Sequence, residues 1–580
     1  MHITIIFIYF VFVLLDHAVD LSDEVPSSDD DSEDEDKIST SSEPLLEEKN
    51  WTWQSTTPPQ PVFDTAKGTE GTHDNLGRYW QDWSPVDFFL KMFPAEIFTR
   101  STLETNVYAQ HKIGVHRLRS SSTFRPVDEG EIYRFVSILL VMGVIRLRRK
   151  RDYWIQSKSK ALKFSALGQI LTHQRYKQIK RYFHLAPNSN MPKFGTPQYD
   201  KLYKVRSVYN FLQESFRKHW TPGTFVSLDE SMIPWKGKSS MKQYMRSKPV
   251  RWGFKFFCIC DAISGYFIEF MLYSGSHCCP NKFGLCTNVV LEMCKRAGLE
   301  GTKRIIVADN YYSSPLLCAA LARVDVGYVG TCRMSRRCVP KSLISFTGRI
   351  CDVKRGAIKS AWLVLNSVDP GLPATPIFMC SWKDNKTANF IGTAGGVETL
   401  PVVRKDRKGR KEKVDAPNIA SLYNERMGGV DLANQGKSRY SVAASVVTRK
   451  WWMRIFMGSL DMATNNAWIL YKTSRKDMER YDHQDFILSV CESLCDLGSR
   501  ASAATSLPYV HNPAHDEIAA QRGCTDCVVC RHNGSRKRTC YTCSTCRVPL
   551  CVEACFKIFH DLKLKVSKHV KKCDLREDED

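Results

Sequence analysis

Three aspartates combine the residue type and the setting that a metal-dependent nuclease requires. Asp229 ends the apolar run 225–228, and Asp309 ends the segment 304–308. Asp431 lies just before a helical pattern. Because converging carboxylates repel one another, the arrangement becomes favourable when divalent cations neutralise it. Mg²⁺ prefers oxygen ligands, so the three acids predict a magnesium or manganese site.

The chemistry of such a site would be phosphoryl transfer. Two ions about 3.5–4 Å apart would stabilise the attacking and the leaving oxygens of an in-line displacement. The alternative is that each aspartate is an ordinary cap at a strand end or a helix start. Two nearby acids, Glu230 and Asp261, are interpreted as structural.

The elements around these acids predict an α/β core. Segments 254–261 and 266–273 are typical of a hairpin, and 304–309 and 326–331 of further strands. Upstream of them, residues 131–145 repeat apolar side chains at helical spacing. A helical stripe after Asp431 has the pattern of a core-facing helix; its members are Trp452, Phe456, Leu460, Ala463, Ala467 and Leu470.

Several blocks of sequence resemble the piggyBac transposase family. They are WSPVDFF at 83–89, DYW at 152–154, DKLYKVR at 200–206, FVSLDESMIPWKGKSSMKQYM at 225–245, DNYYSSP at 309–315, YNERMGGVD at 423–431 and the cysteine cluster after Arg522. The resemblance covers most of the chain from about residue 80 onward.

The resemblance implies an RNase H-like catalytic core whose catalytic acids are Asp229, Asp309 and Asp431. In such an enzyme one metal ion activates water to cut a DNA strand at the transposon end. The freed 3′-hydroxyl then attacks the opposite strand and forms a hairpin, and joining follows at TTAA targets. A homodimer acting on double-stranded DNA is the expected assembly.

The pattern along the chain predicts a helical domain, then an α/β core with a β-rich insertion, then a small zinc-binding module. The boundaries are an apolar run at 1–19, an acidic disordered region at 20–78, a helical dimerisation and DNA-binding region at 79–222, the RNase H-like core at 223–332 and 421–480, the insertion at 333–420, a linker at 481–520 and the cysteine-rich domain at 521–575.

One position departs from the family pattern. Many relatives carry a fourth acid three residues after the third, on the same helical face, and here that residue is Asn434. An asparagine can donate an oxygen to a metal but lacks the negative charge. Either the second ion is held more weakly, or this copy is catalytically impaired.

The charge distribution favours a polyanionic partner. The chain carries +22 overall, with −12 in residues 1–50 and +34 in the remainder. A body that basic indicates DNA or RNA, the alternative being general surface solubility. The cations that follow the first catalytic aspartate are candidate contacts to phosphates flanking the cut: Lys236, Lys238, Lys242, Arg246, Lys248 and Arg251.

A second basic run occupies residues 404–413, and its glycine and charges predict a flexible loop. It could be a nuclear-import signal, a DNA-backbone contact or both, and the alternative is a merely solvated loop. Its candidate DNA-binding residues are Arg404, Lys405, Arg407, Lys408, Arg410 and Lys411.

The cysteine cluster predicts zinc. Cys-x2-Cys pairs repeat between residues 524 and 546, a spacing typical of structural zinc sites. The favoured ligands are Cys527, Cys530, Cys543, Cys546, Cys551, Cys555 and His560. Seven ligands are one short of two tetrahedral sites, and Cys524, Cys540 or Cys573 could complete the set. Disulfides are not expected in a reducing compartment.

The first residues leave the compartment open to two interpretations. The apolar run 3–15 is too short to span a bilayer and fits a secretory signal peptide or a mis-assigned start. The basic body predicts a nuclear protein without a membrane association. The competing functions are a domesticated, catalytically silent DNA-binding protein, a zinc-module protein or chromatin reader, and a secreted protein.

Overall fold

The structure is a computed structural model of the 580-residue chain. It describes residues 51–63, 71, 80–116, 124–154, 167–246, 248–275, 283–347, 349, 352–367, 373–406, 409–475, 481–505, 513–515, 524–532, 535–543, 548–552 and 555. The apolar run 3–15 and the acidic segment that follows it lie outside these ranges, as do Arg407, Lys408, Cys546 and His560.

The described chain before residue 219 is helical, as expected. Its helices are α1 Pro85–Met92, α2 Ala95–His116, α3 Glu129–Val144, α4 Leu167–Ile170, α5 His173–Tyr182 and α6 Arg206–Lys218. Asp128 begins α3 by accepting a hydrogen bond from the Glu131 backbone N–H at 2.8 Å. Phe88, Phe93 and Phe135 are fully buried in the core that these helices share with the sheet.

A nine-stranded mixed sheet follows. Its first strands are β1 Phe225–Pro234, β2 Lys242–Tyr244, β3 Trp252–Asp261, β4 Phe267–Leu272, β5 Ile305–Ala308 and β6 Gly327–Thr331. The hairpin of β3 and β4 lies on one side of β1, and β5 and β6 continue in parallel on the other. Helices α7 Leu285–Arg296 and α8 Pro315–Arg323 connect these strands.

The segment interpreted as an insertion extends the same sheet. Strands β7 Ile358–Val364, β8 Pro376–Lys383 and β9 Thr387–Gly392 continue it through the antiparallel pairing of β9 with β6. A short helix, α9 Lys341–Ile344, packs against β7 and β8. The predicted α/β core with inserted strands is therefore present.

The basic run expected to be a flexible loop is mostly a hairpin. Its strands β10 Thr399–Lys405 and β11 Lys411–Pro417 pair with Val402 opposite Val414. Val414 is buried, and Trp382 Nε1 donates to Asp415 O at 2.7 Å. This anchoring on β8 orders a segment whose charge alone suggested a loop.

The helices after the insertion close one face of the sheet. They are α10 Asn418–Arg426, α11 Gly429–Arg439, α12 Val442–Ser445, α13 Trp451–Ser474 and α14 His483–Thr505. The predicted apolar stripe of α13 is buried. Gly458 allows a close approach, because a Cβ there would lie 2.2 Å from Ile233 Cδ1 on β1. No helix in the described ranges is long and apolar enough to cross a membrane.

The segment interpreted as a linker contains a packed helix. Helix α14 lies against α3, and its Phe486, Val490 and Leu494 are fully or almost fully buried. Ser137 Oγ on α3 donates to Cys491 O at 2.9 Å. These apolar residues belong to the main core, so the folded body reaches at least to residue 505.

A buried ion pair ties α3 to α5 and yields a stability prediction. Arg175 donates from Nε to Glu131 Oε1 at 2.8 Å and from Nη2 to Oε2 at 2.6 Å, and both side chains are buried. We expect Arg175→Met to lower the free energy of unfolding by about 3 kcal/mol, the low end of the range for a broken buried pair, because the buried Glu131 keeps only the largely exposed Arg125 as its ion-pair partner. The matched control, Lys177→Met, removes an exposed cation of the same helix and should change little. Equal urea-unfolding midpoints for the two variants would contradict this account.

Candidate active site and candidate zinc centre

Parallel pairing between β1 and β5 brings two of the predicted acids together. Leu228 lies opposite Ala308 in the register, so the next residues, Asp229 and Asp309, extend from neighbouring strands at the same place. Adjacent strands are about 4.8 Å apart. Burial and the neighbouring Glu230 raise the pKa of both carboxyl groups. Both shifts mean that negative charge is disfavoured at these carboxyl groups, and a bound cation would relieve this.

The third acid approaches through the N-terminus of α11. The Gly429 N–H donates to Ser227 Oγ at 3.1 Å, and Ser227 Oγ donates to Arg426 O at 2.6 Å. A Cβ at Gly429 would lie 2.7 Å from Asp261 O, so only glycine fits this contact. Gly429 is thus fixed to Ser227 on β1. Asp431 follows Gly429 by two residues, and Asp229 follows Ser227 by two residues.

Lys248 links the acids. Its Nζ lies 2.9 Å from Asp229 Oδ2 and 3.6 Å from Glu230 Oε2. Burial disfavours the charged lysine, but Asp229, Glu230 and Asp431 together outweigh burial and raise the Lys248 pKa. The predicted phosphate contact at Lys248 is thus an internal counter-ion of the acid cluster in this structure.

Glu230 is a fourth carboxylate beside the cluster, buried and held by two neighbours. Tyr312 Oη donates to Glu230 Oε1 at 2.7 Å, and Lys255 Nζ lies 3.4 Å from the same oxygen. In a strand, neighbouring residues point to opposite faces, so alternation would have placed Glu230 away from Asp229. Only the tertiary contacts with Lys248 and Tyr312 reveal its place. Asp261, in contrast, accepts from the backbone N–H groups of a turn, as a structural acid does.

Both the oxygen and the nitrogen of the Asn434 side-chain amide form hydrogen bonds with β1. Ser231 Oγ donates to Asn434 Oδ1 at 2.7 Å, and Asn434 Nδ2 donates to Glu230 O at 3.4 Å. The buried Lys437, one turn further along α11, donates to Ser231 Oγ and to Met232 O. The side chain at the position of the family's fourth acid therefore joins α11 to β1.

The other candidate DNA contacts differ in exposure. Lys236, Lys238, Arg246 and Arg251 are exposed, whereas Lys242 is half-buried with its Nζ 4.8 Å from the centre of the Trp252 ring. In the β10–β11 hairpin, Lys405 and Lys411 are exposed. Arg404 lies over the Trp382 ring at 5.4 Å, and Arg410 Nε lies 2.9 Å from Asp406 Oδ2.

Four of the predicted zinc ligands converge in the C-terminal module. The sulfur atoms of Cys527, Cys530, Cys551 and Cys555 all lie within 4.8 Å of one another. Cys530 Sγ is 3.4 Å from Cys555 Sγ and 3.9 Å from Cys551 Sγ. Tetrahedral zinc with Zn–S bonds of about 2.3 Å requires sulfurs about 3.8 Å apart, so this set fits one zinc ion.

The rest of the module departs from the expectation that no disulfide forms. Strands β13 Thr525–Asp526 and β14 Arg538–Thr539 pair with Thr525 opposite Thr539. This register places Cys524 and Cys540 opposite each other, and the structure joins them in a disulfide. Of the remaining predicted ligands, Cys543 is buried nearby in the hydrophobic cluster of the module. Helix α15 Val528–His532 and strands β12 Pro513–His515 and β15 Tyr541–Cys543 complete the module.

Comparison with known proteins decides the family. A family model described as "Transposase IS4" matches residues 84–468, and one described as "DDE_Tnp_1-like zinc finger" matches residues 510–561. The first match spans all three aspartates and the second the cysteine cluster. The chain belongs to the piggyBac transposase family.

Its relatives include human proteins. The chain is 25% identical over 397 residues to PiggyBac transposable element-derived protein 3 of Homo sapiens, covering 67% of this chain and 61% of that one. It is 27% identical over 406 residues to PiggyBac transposable element-derived protein 2 of Homo sapiens, covering 69% and 63%. The chain thus spans less than two thirds of the length of these two relatives.

A solved structure shares the fold. It is the cryo-EM structure of a piggyBac transposase synaptic complex with hairpin DNA, with a TM-score of 0.60 and 22% sequence identity. The similarity covers 84% of this chain and 98% of that one. The predicted fold class is confirmed for this family member.

The contacts of Asn434 predict the effect of restoring an acid there. Asn434→Asp keeps the acceptor for Ser231 but replaces the donor to Glu230 O with a second acceptor. We expect a loss of about 1 kcal/mol in the free energy of unfolding and no gain in metal-dependent cleavage. Gln435→Glu, which adds the same charge at an exposed neighbouring position of α11, is the control. Higher cleavage by Asn434→Asp at unchanged stability would show that the missing charge limits activity.

The cysteine cluster predicts how metal removal acts. Native mass spectrometry of the full chain should show about two zinc ions, and Cys527→Ser should lose one of them. Because metal binding supplies the folding energy of such modules, a chelator should unfold the C-terminal module while the catalytic core keeps its melting temperature. Cys286→Ser, outside the module, should keep both ions. Disulfides among Cys527, Cys530, Cys551 and Cys555 would remove the zinc assignment.

Proposed function

We propose that this chain is a DDD-type DNA transposase that cuts DNA at transposon ends and joins it at TTAA targets. The observation that carries the proposal is the convergence of Asp229, Asp309 and Asp431 around the end of β5. Membership of the transposase family supports the same chemistry. The half-buried Asp229 and Asp309 and the exposed Asp431 form a site that a DNA strand can reach from solvent.

The donor set fits hard divalent cations. The charges of Asp229, Glu230 and Asp431 raise the pKa of Lys248, and the charges of Glu230 and Lys248 act on Asp309. An oxygen-rich, negatively charged site of this kind is one that Mg²⁺ or Mn²⁺ would occupy. The metal would stabilise charge on the attacking and leaving oxygens. Asp229, Asp309 and Asp431 would hold it. Lys248 would leave Asp229 for a phosphate when the metal binds, and Tyr312 would keep Glu230 in place by its hydrogen bond.

A catalytically silent DNA-binding protein is the second candidate, and Asn434 favours it. The amide supplies no charge and is engaged by Ser231 and Glu230 O. The sequence of the genomic DNA that flanks the gene would distinguish the two candidate functions. Intact inverted repeats with TTAA duplications favour a mobile element, and their absence favours domestication.

The partner and the assembly follow from the same proposal. Double-stranded DNA is the polyanion that a chain of +22 net charge would bind through phosphates. A homodimer would pair two transposon ends, and strand cleavage and joining would take place in the nucleus. The zinc module would contact the end sequence, with a chromatin-reader role as the alternative for that module alone.

Strand cleavage tests the proposal. Purified full chain with Mg²⁺ or Mn²⁺ should nick duplex DNA that carries the terminal repeats flanking its gene. Asp309→Ala should reduce nicking more than about 100-fold, because the metal contributes several kcal/mol to the chemical step. DNA binding should be retained, since the substitution removes no cation.

The matched control is Glu300→Ala, which removes an exposed acid that precedes β5, at the opposite end of that strand from Asp309. It should nick like the unmodified chain. Wild-type rates for Asp309→Ala would refute the catalytic assignment. DNA binding without nicking, by a chain that retains all three aspartates, would favour the silent alternative.

A further inference from the structure

A lysine of β3 lies among three aromatic rings beside the acid cluster. Lys255 Nζ is 4.9 Å from the centres of the Phe257 and Tyr311 rings and 6.0 Å from the centre of the Tyr273 ring. Glu230 Oε1 lies 3.4 Å from the same nitrogen, and the Lys255 side chain is only 13% exposed. We name these five residues the Lys255 cage. An ammonium group with so little water around it is held by the carboxylate and by the electron-rich faces of the rings.

The strand register places the cage on one face of the sheet. Lys255 lies opposite Met232, and Phe257 lies opposite Glu230, so these four side chains share a face. Ser231 points to the other face, where it meets Asn434 of α11. The cage therefore supports the acid cluster from the face opposite α11.

The turn after β5 connects the cage to Asp309. The Tyr311 N–H donates to Asp309 Oδ1 at 2.9 Å, and the Tyr311 ring contacts Lys255. The next residue, Tyr312, donates from Oη to Glu230 Oε1 at 2.7 Å, the oxygen that also lies nearest to Lys255. Two consecutive residues of the turn are thus held by the cage. One of them fixes an oxygen of the Asp309 carboxylate.

The charge of Lys255 does more than fill space. Its neighbours on β3, Phe254 and Phe256, are fully buried and apolar. Burying an ammonium group costs free energy unless it is paired, and a methionine could fill the same gap between rings without that cost. What the ammonium adds is attraction to the Glu230 carboxylate and to the face of the Tyr311 ring, and both of these groups bind the turn.

We propose that Lys255 is a positioning residue, which holds Tyr311 and Glu230 in place and so orients the Asp309 carboxylate toward the divalent cation. The inference rests on the proposed function and adds a residue on the opposite face of the sheet from α11. Lys255 touches neither the metal nor the DNA. Residues that orient metal ligands in this way typically change metal affinity by about 10–100-fold when they are replaced.

The two lysines beside the acids are expected to act with opposite signs. Lys248 Nζ lies 2.9 Å from Asp229 Oδ2, so it occupies an oxygen that a metal ion would use. Lys255 is paired with Glu230 and leaves the predicted metal ligands unoccupied. Removing the charge of Lys248 should therefore favour the metal, whereas removing that of Lys255 should disfavour it.

Mn²⁺ affinity of the full chain without DNA, measured by electron paramagnetic resonance, tests the proposal. Lys255→Met should weaken Mn²⁺ binding by about 10-fold or more. Electrostatics alone predicts the reverse, because losing a positive charge near the site favours a bound cation. Lys255→Arg keeps a cation that stacks on aromatic rings, so it should restore most of the affinity.

Three further variants calibrate this measurement. Lys248→Met should bind Mn²⁺ about fivefold more tightly, since a unit charge about 4 Å away is worth about that factor even in water. Lys359→Met removes a lysine of the edge strand β7 whose Nζ lies 6.0 Å from the centre of the Phe346 ring, and it should leave the affinity unchanged. Asp309→Ala gives the baseline for Mn²⁺ bound elsewhere on the chain.

A substitution in the turn tests the same contact from its other side. Tyr311→Leu removes the ring but keeps the backbone N–H that binds Asp309. It should weaken Mn²⁺ binding as much as Lys255→Met does, and the double variant should be no weaker, because both changes remove one contact. Tyr311→Leu also serves if Lys255→Met lowers the melting temperature.

Two results would overturn the proposal. One is unchanged or tighter Mn²⁺ binding by Lys255→Met at the original melting temperature. The other is full additivity of Lys255→Met and Tyr311→Leu, which would show that the lysine does not act through the turn.

Nicking assays separate this inference from the proposed function. Lys255→Met should require more Mn²⁺ for half-maximal nicking and lose less of the rate at saturating Mn²⁺. Mn²⁺ binding that follows the expected pattern, without nicking by the unmodified chain, would defeat the proposed function and keep the positioning role. Normal nicking with unchanged Mn²⁺ affinity in Lys255→Met would defeat the positioning role alone. An unmodified chain that binds no more Mn²⁺ than Asp309→Ala would defeat both.

Discussion

The crowding of negative charge at the ends of β1 and β5 is the constraint on which the catalytic core depends. Asp229, Asp309 and Glu230 meet there, with Asp431 directed toward them by α11. Carboxylates this close raise one another's pKa unless cations compensate them. Lys248 and Lys255 supply part of that compensation, and divalent metal is proposed to supply the rest. The surrounding packing must hold the repelling groups in place.

The packing that holds them is concentrated on β1. Gly429 approaches Ser227 at one end of the strand, Asn434 and Lys437 bind Ser231 further along, and Gly458 of α13 lies against Ile233. Two helices are therefore fixed to a single strand through small residues and buried hydrogen bonds. Such contacts tolerate little added volume, because interiors are close-packed.

Cations serve three different physical purposes in this basic chain. Arg175 is buried and paired with Glu131, where it stabilises the helical region. Lys248 neutralises the acid cluster. Lys150 and Lys180 both donate to one backbone carbonyl oxygen, Val447 O, and so join the helical region to the segment before α13. Net charge indicates a polyanionic partner, but burial and partners decide which cations are free to meet it.

The sequence by itself was sufficient to predict the α/β class, the helical region before it, the three aspartate segments and the zinc-like cysteine spacing, because strand ends, helical periodicity and ligand spacing are local properties. Only the tertiary structure placed Glu230 among the acids, turned the Asn434 amide toward β1, packed α14 into the core and paired residues 399–405 with 411–417 in a hairpin. These features depend on contacts between residues far apart in the chain, where burial and hydrogen bonding override the preferences of each segment.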